Sequence, residues 1–304
     1  MWFLFSLITA LCWGGSDLFS KMGTNPKDKY SHWRLVIAVG AVMGLHAIAY
    51  LLITGIEYDP VNIIRYFPVS FLYILSMTIG YAGLRYIELS ISSPICNSSG
   101  AVTTLLCFFV LGQTMTGLQL GAVIMICLGI FLLSWQEKRE DDETRRIHNH
   151  LVERKYQVGF LAITLPILYC IIDGLGTFAD AYVLDEMAYF TEAEANLSYE
   201  FTFLICAVLA FVYLVGIRKQ RFVLKEEGTK GLAAICETAG QFFYVFAIAD
   251  NAIVAAPLIS SYSIFSVLLS RIFLKEKLPR KKYLVIILVL LGIALLGLAE
   301  ELAV

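Results

Sequence analysis

Four carboxylates in this sequence stand where carboxylates are costly. Asp17, Asp173, Asp180 and Glu237 each fall inside or at the edge of a long apolar run. In hydrocarbon such a group costs about 3 kcal/mol or more unless it faces a cavity or a partner, which makes each a candidate for handling substrate or protons. Trp13, Asp17 and Ser20 share one helical face through i, i+4 and i+7 spacing. Asp17 also precedes Lys21 by one turn, so it serves either as a helical ion pair or in substrate and proton handling. Tyr169, Asp173, Gly176 and Asp180 form a second stripe. Counting the helical rise from Gln157 puts Asp173 roughly 24 Å along and Asp180 at the outer boundary, where it reads as interfacial. The apolar runs hold no evident basic partner for Asp173, which must then either carry a proton or await a cation. Glu237, Gln241 and Tyr244 make a third polar face.

These residues suggest a solute. The acids Asp173 and Glu237, with Asp17, would sit among Trp13, Tyr81, Tyr169, Tyr244 and Tyr262, while Gln241 and Asn97 would hydrogen-bond the substrate. A carboxylate among aromatic faces suits a small organic cation or amine, through ion pairing and cation–π attraction. Strongly anionic solutes are disfavoured, because no Lys or Arg stands near mid-depth to neutralise them. Two other readings stay open. Asp17, Asp173 and Glu237 could serve only proton coupling to a neutral or zwitterionic solute, such as an amino acid, nucleobase or nucleoside. Alternatively, with 20 Phe, 16 Tyr and 4 Trp in the chain, several aromatics would face the interior as packing alone.

The elements that position these groups are membrane spans. Of 304 residues, 59% are hydrophobic and only 16% charged, against about 25% charged in soluble domains. Apolar runs of spanning length recur at about 2–21, 32–54, 67–85, 90–111 and 117–135, and again at about 157–180, 196–217, 231–249, 252–274 and 282–299. The expected fold is all-α, with ten transmembrane helices. The two sets repeat: at one constant offset Pro94 falls on Pro257, Leu111 on Leu274, Gly129 on Gly292, Tyr81 on Tyr244 and Thr78 on Gln241. Asn97, Ser98 and Ser99 fall on Ser260, Ser261 and Tyr262, whereas Glu237 meets Ile74 and so belongs to the second copy only. Residues 1–136 and 157–304 are thus expected as two five-helix repeats around a charged cytoplasmic linker, 137–156. An odd number of helices per repeat inverts the second copy. Of the 23 Lys and Arg, all but Arg65 lie in the odd-numbered connections. Those connections are then cytoplasmic, and both termini extracytoplasmic, in an inner (plasma) membrane. The segment 184–196 carries Asp185, Glu186, Glu192 and Glu194 without a basic residue. It reads either as a solvated acidic loop or as a funnel for cations.

The ten-helix duplication, the Trp13-Gly14 pair, the Leu274-Lys275-Glu276-Lys277-Leu278 turn and the closing Gly292-Ile293-Ala294-Leu295 resemble the EamA-type branch of the drug/metabolite transporter superfamily. The resemblance covers essentially the whole chain. It implies a secondary transporter, with helices equivalent to spans 3, 4, 8 and 9 lining a central cavity. The family pattern has a Glu in both repeat turns; Glu276 keeps it, and Gln113 replaces it in the first copy.

Other function classes find no support. There is no phosphate loop of the GxxxxGK[ST] type, no HExxH and no GxSxG. All seven Cys lie in apolar runs without CxxC spacing, so neither a disulfide framework nor a metal site is expected. The first run lacks a basic leader and ends at Asp17 and Lys21, so it reads as a span and not as a cleaved signal. No enzyme activity, cofactor or nucleic-acid partner is expected. The expected partners are a small-molecule substrate, the lipid bilayer and protons as a coupling option, with the protein a monomer or homodimer. A lipid-linked flippase is the rival of another class. The glycine pairs 40/44 and 117/121 have the spacing either of a dimer face or of internal packing.

Overall fold

Apolar runs without alternation can satisfy their backbone in lipid only by closing hydrogen bonds within each segment, as helices do. The computed structural model describes residues 1–23, 30–83, 98–148, 159–223, 227–275 and 280–303. Among these, every regular element is helical: α1 Trp2–Gly23, α2 Ser31–Thr54, α3 Val61–Gly83, α4 Ser99–Val110, α5 Gly117–His148, α6 Gly159–Ala181, α7 Glu192–Phe211, α8 Gly228–Ser260, α9 Tyr262–Phe273 and α10 Arg280–Ala303. Short π-helical turns, Tyr182–Glu186 and Val212–Ile217, extend α6 and α7. Among the described residues, six segments are long and apolar enough to cross a membrane, and Val61–Ser76, Ser99–Val110 and Gly117–Leu133 are shorter apolar helices. Large apolar side chains face outward, among them Leu52 at 80% and Ile53 at 83% exposure, which suits contact with lipid and not water.

Three elements depart from the spans expected above. α3 begins at Val61, because Asp59 Oδ1 accepts from the Val61 amide at 3.0 Å and starts the helix early. α5 runs on through His148, so the charged linker opens as helix. α8 has 33 residues, about 50 Å of straight helix and too long for one crossing of a 30 Å core. It breaks at Asn251 (φ −162°, ψ 79°), which divides the two expected spans. The second of these spans is itself interrupted at Ser261. Pro257 cannot donate to the carbonyl of Ile253, and that carbonyl instead accepts the Thr104 hydroxyl of α4 at 2.8 Å. Ser261 (φ −73°, ψ 0°) and Ser98 (φ −86°, ψ 1°), matched by the sequence offset, lead into α9 and α4 with the same local geometry.

Packing relies on close backbone approach. α1 lies along the first part of α8, and α2 along α7. A Cβ at Gly40 would stand 2.2 Å from the Phe203 carbonyl oxygen, and one at Gly100 would stand 2.4 Å from Ser260 Oγ. Gly40 and Gly44 are therefore used inside the bundle, whereas Gly117 and Gly121 meet nothing within 4 Å. At one end of the bundle, hereafter the acidic end, Thr191 and Glu194 form a capping box on α7. At the opposite end Glu227 bridges Arg34 (3.1 Å) and Lys230 (2.7 Å).

Candidate functional site

A hydrogen-bonded polar seam runs through the middle of this apolar bundle. It begins under the acidic end at Asp180, which is 0% exposed. Three tyrosine hydroxyls donate to its carboxylate: Tyr66 of α3, Tyr199 of α7 at 2.9 Å and Tyr244 of α8 at 2.9 Å. Asp180 is therefore not interfacial. The π turn carries the helix on past it through Glu186, so the boundary lies farther along than the count of helical rise placed it. Tyr244 also reaches the Thr177 hydroxyl at 3.0 Å, one turn along α6 from both Asp180 and Asp173.

Asp173 accepts from the Ser76 hydroxyl of α3 at 3.1 Å, with the Ser99 hydroxyl alongside. One turn from Ser76, the Tyr73 hydroxyl donates to Glu237 at 3.0 Å, and Ser16 of α1 supports the same carboxylate. Asp173 and Glu237 lie within the bundle yet keep partial exposure, and among the described residues neither forms an ion pair. Each carboxylate has about four acceptor positions, so hydroxyl donors leave room for a proton or a ligand cation.

Trp13 and Gln241 lie beside this seam. The Trp13 indole lies tilted against the Tyr244 ring, centroids 5.4 Å apart, and meets Tyr262 edge-on at 6.0 Å. It fits because residue 240 is glycine: a Cβ there would be 2.4 Å from Trp13 Cδ1. Gln241 sits on the α8 face between Glu237 and Tyr244 and is 1% exposed.

Of the residues singled out in the sequence, the fold thus brings Trp13, Asp173, Glu237, Gln241, Tyr244 and Tyr262 to one interior region. Tyr169 is half-buried, one turn from Asp173 on α6. Asp17 is exposed near the end of α1, while its neighbour Ser16 supports Glu237. The Tyr81 side chain and Asn97 lie outside the described residues.

Sequence reasoning passed over Tyr66 and Tyr73, which are seven apart on one face of α3, and Tyr199. It also missed a carboxylate–imidazole pair: Glu200 of α7, 1% exposed, meets His46 Nδ1 of α2 at 2.7 Å. A single Glu inside the apolar run 196–217 was signal enough to look for a partner. The acidic segment is largely occupied locally. Glu194 caps α7 and accepts from Asn62, and Asp185 accepts from Gln113 at 3.1 Å. A crevice of ≈ 560 Å³ opens there, lined by Asp59, Asn62, Arg65, Tyr189, Phe190 and Glu194. Phe190 packs on Tyr66 at 5.1 Å, so the three tyrosines close the floor beneath it.

Residues 1–135 and 161–298 match the EamA-like transporter family. The chain belongs to that family. Of the curated proteins, none matches this EamA-like protein. A solved structure described only as the crystal structure of a protein has a TM-score of 0.70 and 15% sequence identity; the match covers 98% of this chain and 96% of that one. At that identity the likeness speaks for the fold alone. This EamA-like protein is a multi-pass membrane protein, and the family is one of membrane transporters.

Proposed function

We propose that the protein is a secondary active transporter that moves a small polar metabolite by alternating access, and not an enzyme. The reading includes ten spans in two inverted five-helix repeats, with residues 137–156 cytoplasmic and both termini extracytoplasmic in the inner membrane. The two repeats would exchange which side opens to a midplane site. The supporting observation is the seam itself: carboxylates of α6 and α8 held by hydroxyls inside an apolar bundle, with Asp173 and Glu237 still partly accessible and, among the described residues, unmatched by Lys or Arg. Architecture alone has no need for such a costly row of acids. Asp173 and Glu237 are the sites for an ammonium group or a coupling proton. Trp13, Tyr244 and Tyr262 are the aromatic walls, with Tyr73 joining them. The Phe190, Tyr66 and Tyr199 layer is the closed outer door in this arrangement.

Uptake of radiolabelled small amines into proteoliposomes holding the purified chain tests the reading. Asp173→Asn should abolish uptake. If it also abolishes amine binding, Asp173 recognises the cation directly. Loss of uptake with binding intact makes it a coupling group instead. Amine uptake no faster than in empty liposomes, across inward and outward pH gradients, would remove the amine reading.

A further inference from the structure

Gln241 has an exposure of 1%, and among the described residues neither its amide nitrogen nor its amide oxygen has a hydrogen-bond partner. The Trp13 indole N–H is likewise buried and unpartnered. Buried polar groups are nearly always paired, because an unpaired one forfeits the hydrogen bonds it made with water. Here a donor–acceptor amide and a separate donor are both left open, as are Ser263 Oγ and Asn196 Oδ1, while other polar groups around them are paired. Thr9 Oγ1 donates to the Gly240 carbonyl at 3.2 Å, Tyr73 donates to Glu237, and Tyr244 donates to Asp180 while the Thr177 hydroxyl meets its oxygen. Trp13 packs on the residue that precedes Gln241. The missing side chain of Gly240 lets the indole lie against the backbone next to Gln241, with Nε1 2.6 Å from where a Cβ would stand. Two aromatic rings flank the indole, Tyr244 tilted against it and Tyr262 edge-on.

We propose that Gln241 and Trp13 form a substrate subsite for a flat amide edge, that of a lactam or a primary carboxamide. The Gln241 amide nitrogen donates to the ligand carbonyl and its amide oxygen accepts the ligand N–H, a pair of parallel hydrogen bonds. The Trp13 indole N–H donates to a further acceptor on the ligand, and the ring of the ligand lies against the aromatic walls. This rests on the transport reading and narrows it. The solute carries a planar amide, and any ammonium group it bears reaches Asp173 or Glu237. Gln241 is closed over in the present arrangement, so a solute reaches it only in another, which alternating access supplies. A site built to hydrogen-bond both halves of an amide rejects an analogue with its N–H groups blocked.

The test uses the full chain purified in detergent, with thermal unfolding read in the presence of uracil, nicotinamide, 1,3-dimethyluracil and benzylamine. Uracil or nicotinamide should raise the Tm and 1,3-dimethyluracil should not. Gln241→Leu should weaken amide binding at least tenfold while leaving the Tm of the free protein unchanged or higher, since it removes an unpaired buried amide. Trp13→Phe, which keeps the ring and loses the N–H, should weaken amide binding severalfold. The subsite is overturned if neither amide shifts the Tm of the unaltered protein, or if both variants bind amides as the unaltered protein does. A Gln241→Leu chain that unfolds early or fails to fold also overturns it, because the amide is then structural. Uptake into proteoliposomes separates the two claims. Benzylamine carried while no amide binds sinks the subsite and leaves transport standing. Amides bound but never carried sink transport and leave the subsite.

Discussion

At the scale of single residues, the protein treats its buried acids in different ways. Asp180 is saturated by hydroxyls and closed off, whereas Asp173 and Glu237 have fewer donors and keep some exposure. Hydrogen bonds to an ionic acceptor contribute about 1.5–3 kcal/mol each, roughly twice a neutral pair. Tyr199→Phe should therefore lower stability by about 2 kcal/mol, read as a fall in Tm in detergent, with the ring packing retained. A shift smaller than that of Tyr58→Phe, whose half-buried hydroxyl meets the neutral Ser198 hydroxyl at 2.9 Å, would contradict the account. His46 and Glu200 make a second residue-scale case. His46→Ala leaves a 1% exposed carboxylate without its 2.7 Å partner, so it should destabilise by about 1–3 kcal/mol. Adding Glu200→Leu should recover part of that loss, and a double-mutant cycle measures the coupling.

Elements in this bundle are held by small residues where helices touch and by prolines where they must break. α2 and α7 meet backbone to backbone at Gly40. Gly40→Leu should destabilise by about 3 kcal/mol or prevent folding, because the obstruction is the Phe203 carbonyl and not a flexible side chain. Gly121→Ala, facing open space, should change the Tm within the scatter expected of about 0.5 kcal/mol. Solubilised-protein yield and thermal unfolding read both. Pro257 acts differently. It removes one backbone donor and so frees the Ile253 carbonyl for Thr104, tying α8 to α4 where α8 gives way to α9. Thr104→Val keeps the shape and strands that carbonyl, a loss of about 1 kcal/mol.

On the scale of the whole molecule, the proposed orientation has a direct readout. In a cysteine-free background, Tyr189→Cys should react with a membrane-impermeant maleimide added to intact cells. Lys219→Cys should react only after the membrane is opened. The reverse pattern would invert the topology, because Tyr189 lies at the acidic end and Lys219 follows α7 at the other.

Much of this was legible in the chain itself. Hydropathy and length predict apolar helices, because in lipid the backbone has few other solutions, and the break near Asn251 shows as a polar gap between two apolar runs. Helical spacing alone put Glu237, Gln241 and Tyr244 on one face, and Asp173 on another. Spacing cannot say what lies opposite a face. The partners of Glu237 and Asp173 come from α1, α3 and α4, far away in sequence, and contacts of that kind depend on how the helices dock. The burial of Asp180 comes from Tyr66, Tyr199 and Tyr244, brought round it from three other helices, which spacing along its own helix does not reveal. The unpaired state of Gln241 is the clearest case. Whether a glutamine is satisfied depends on every atom around it, and only the packed tertiary structure supplies that surrounding shell.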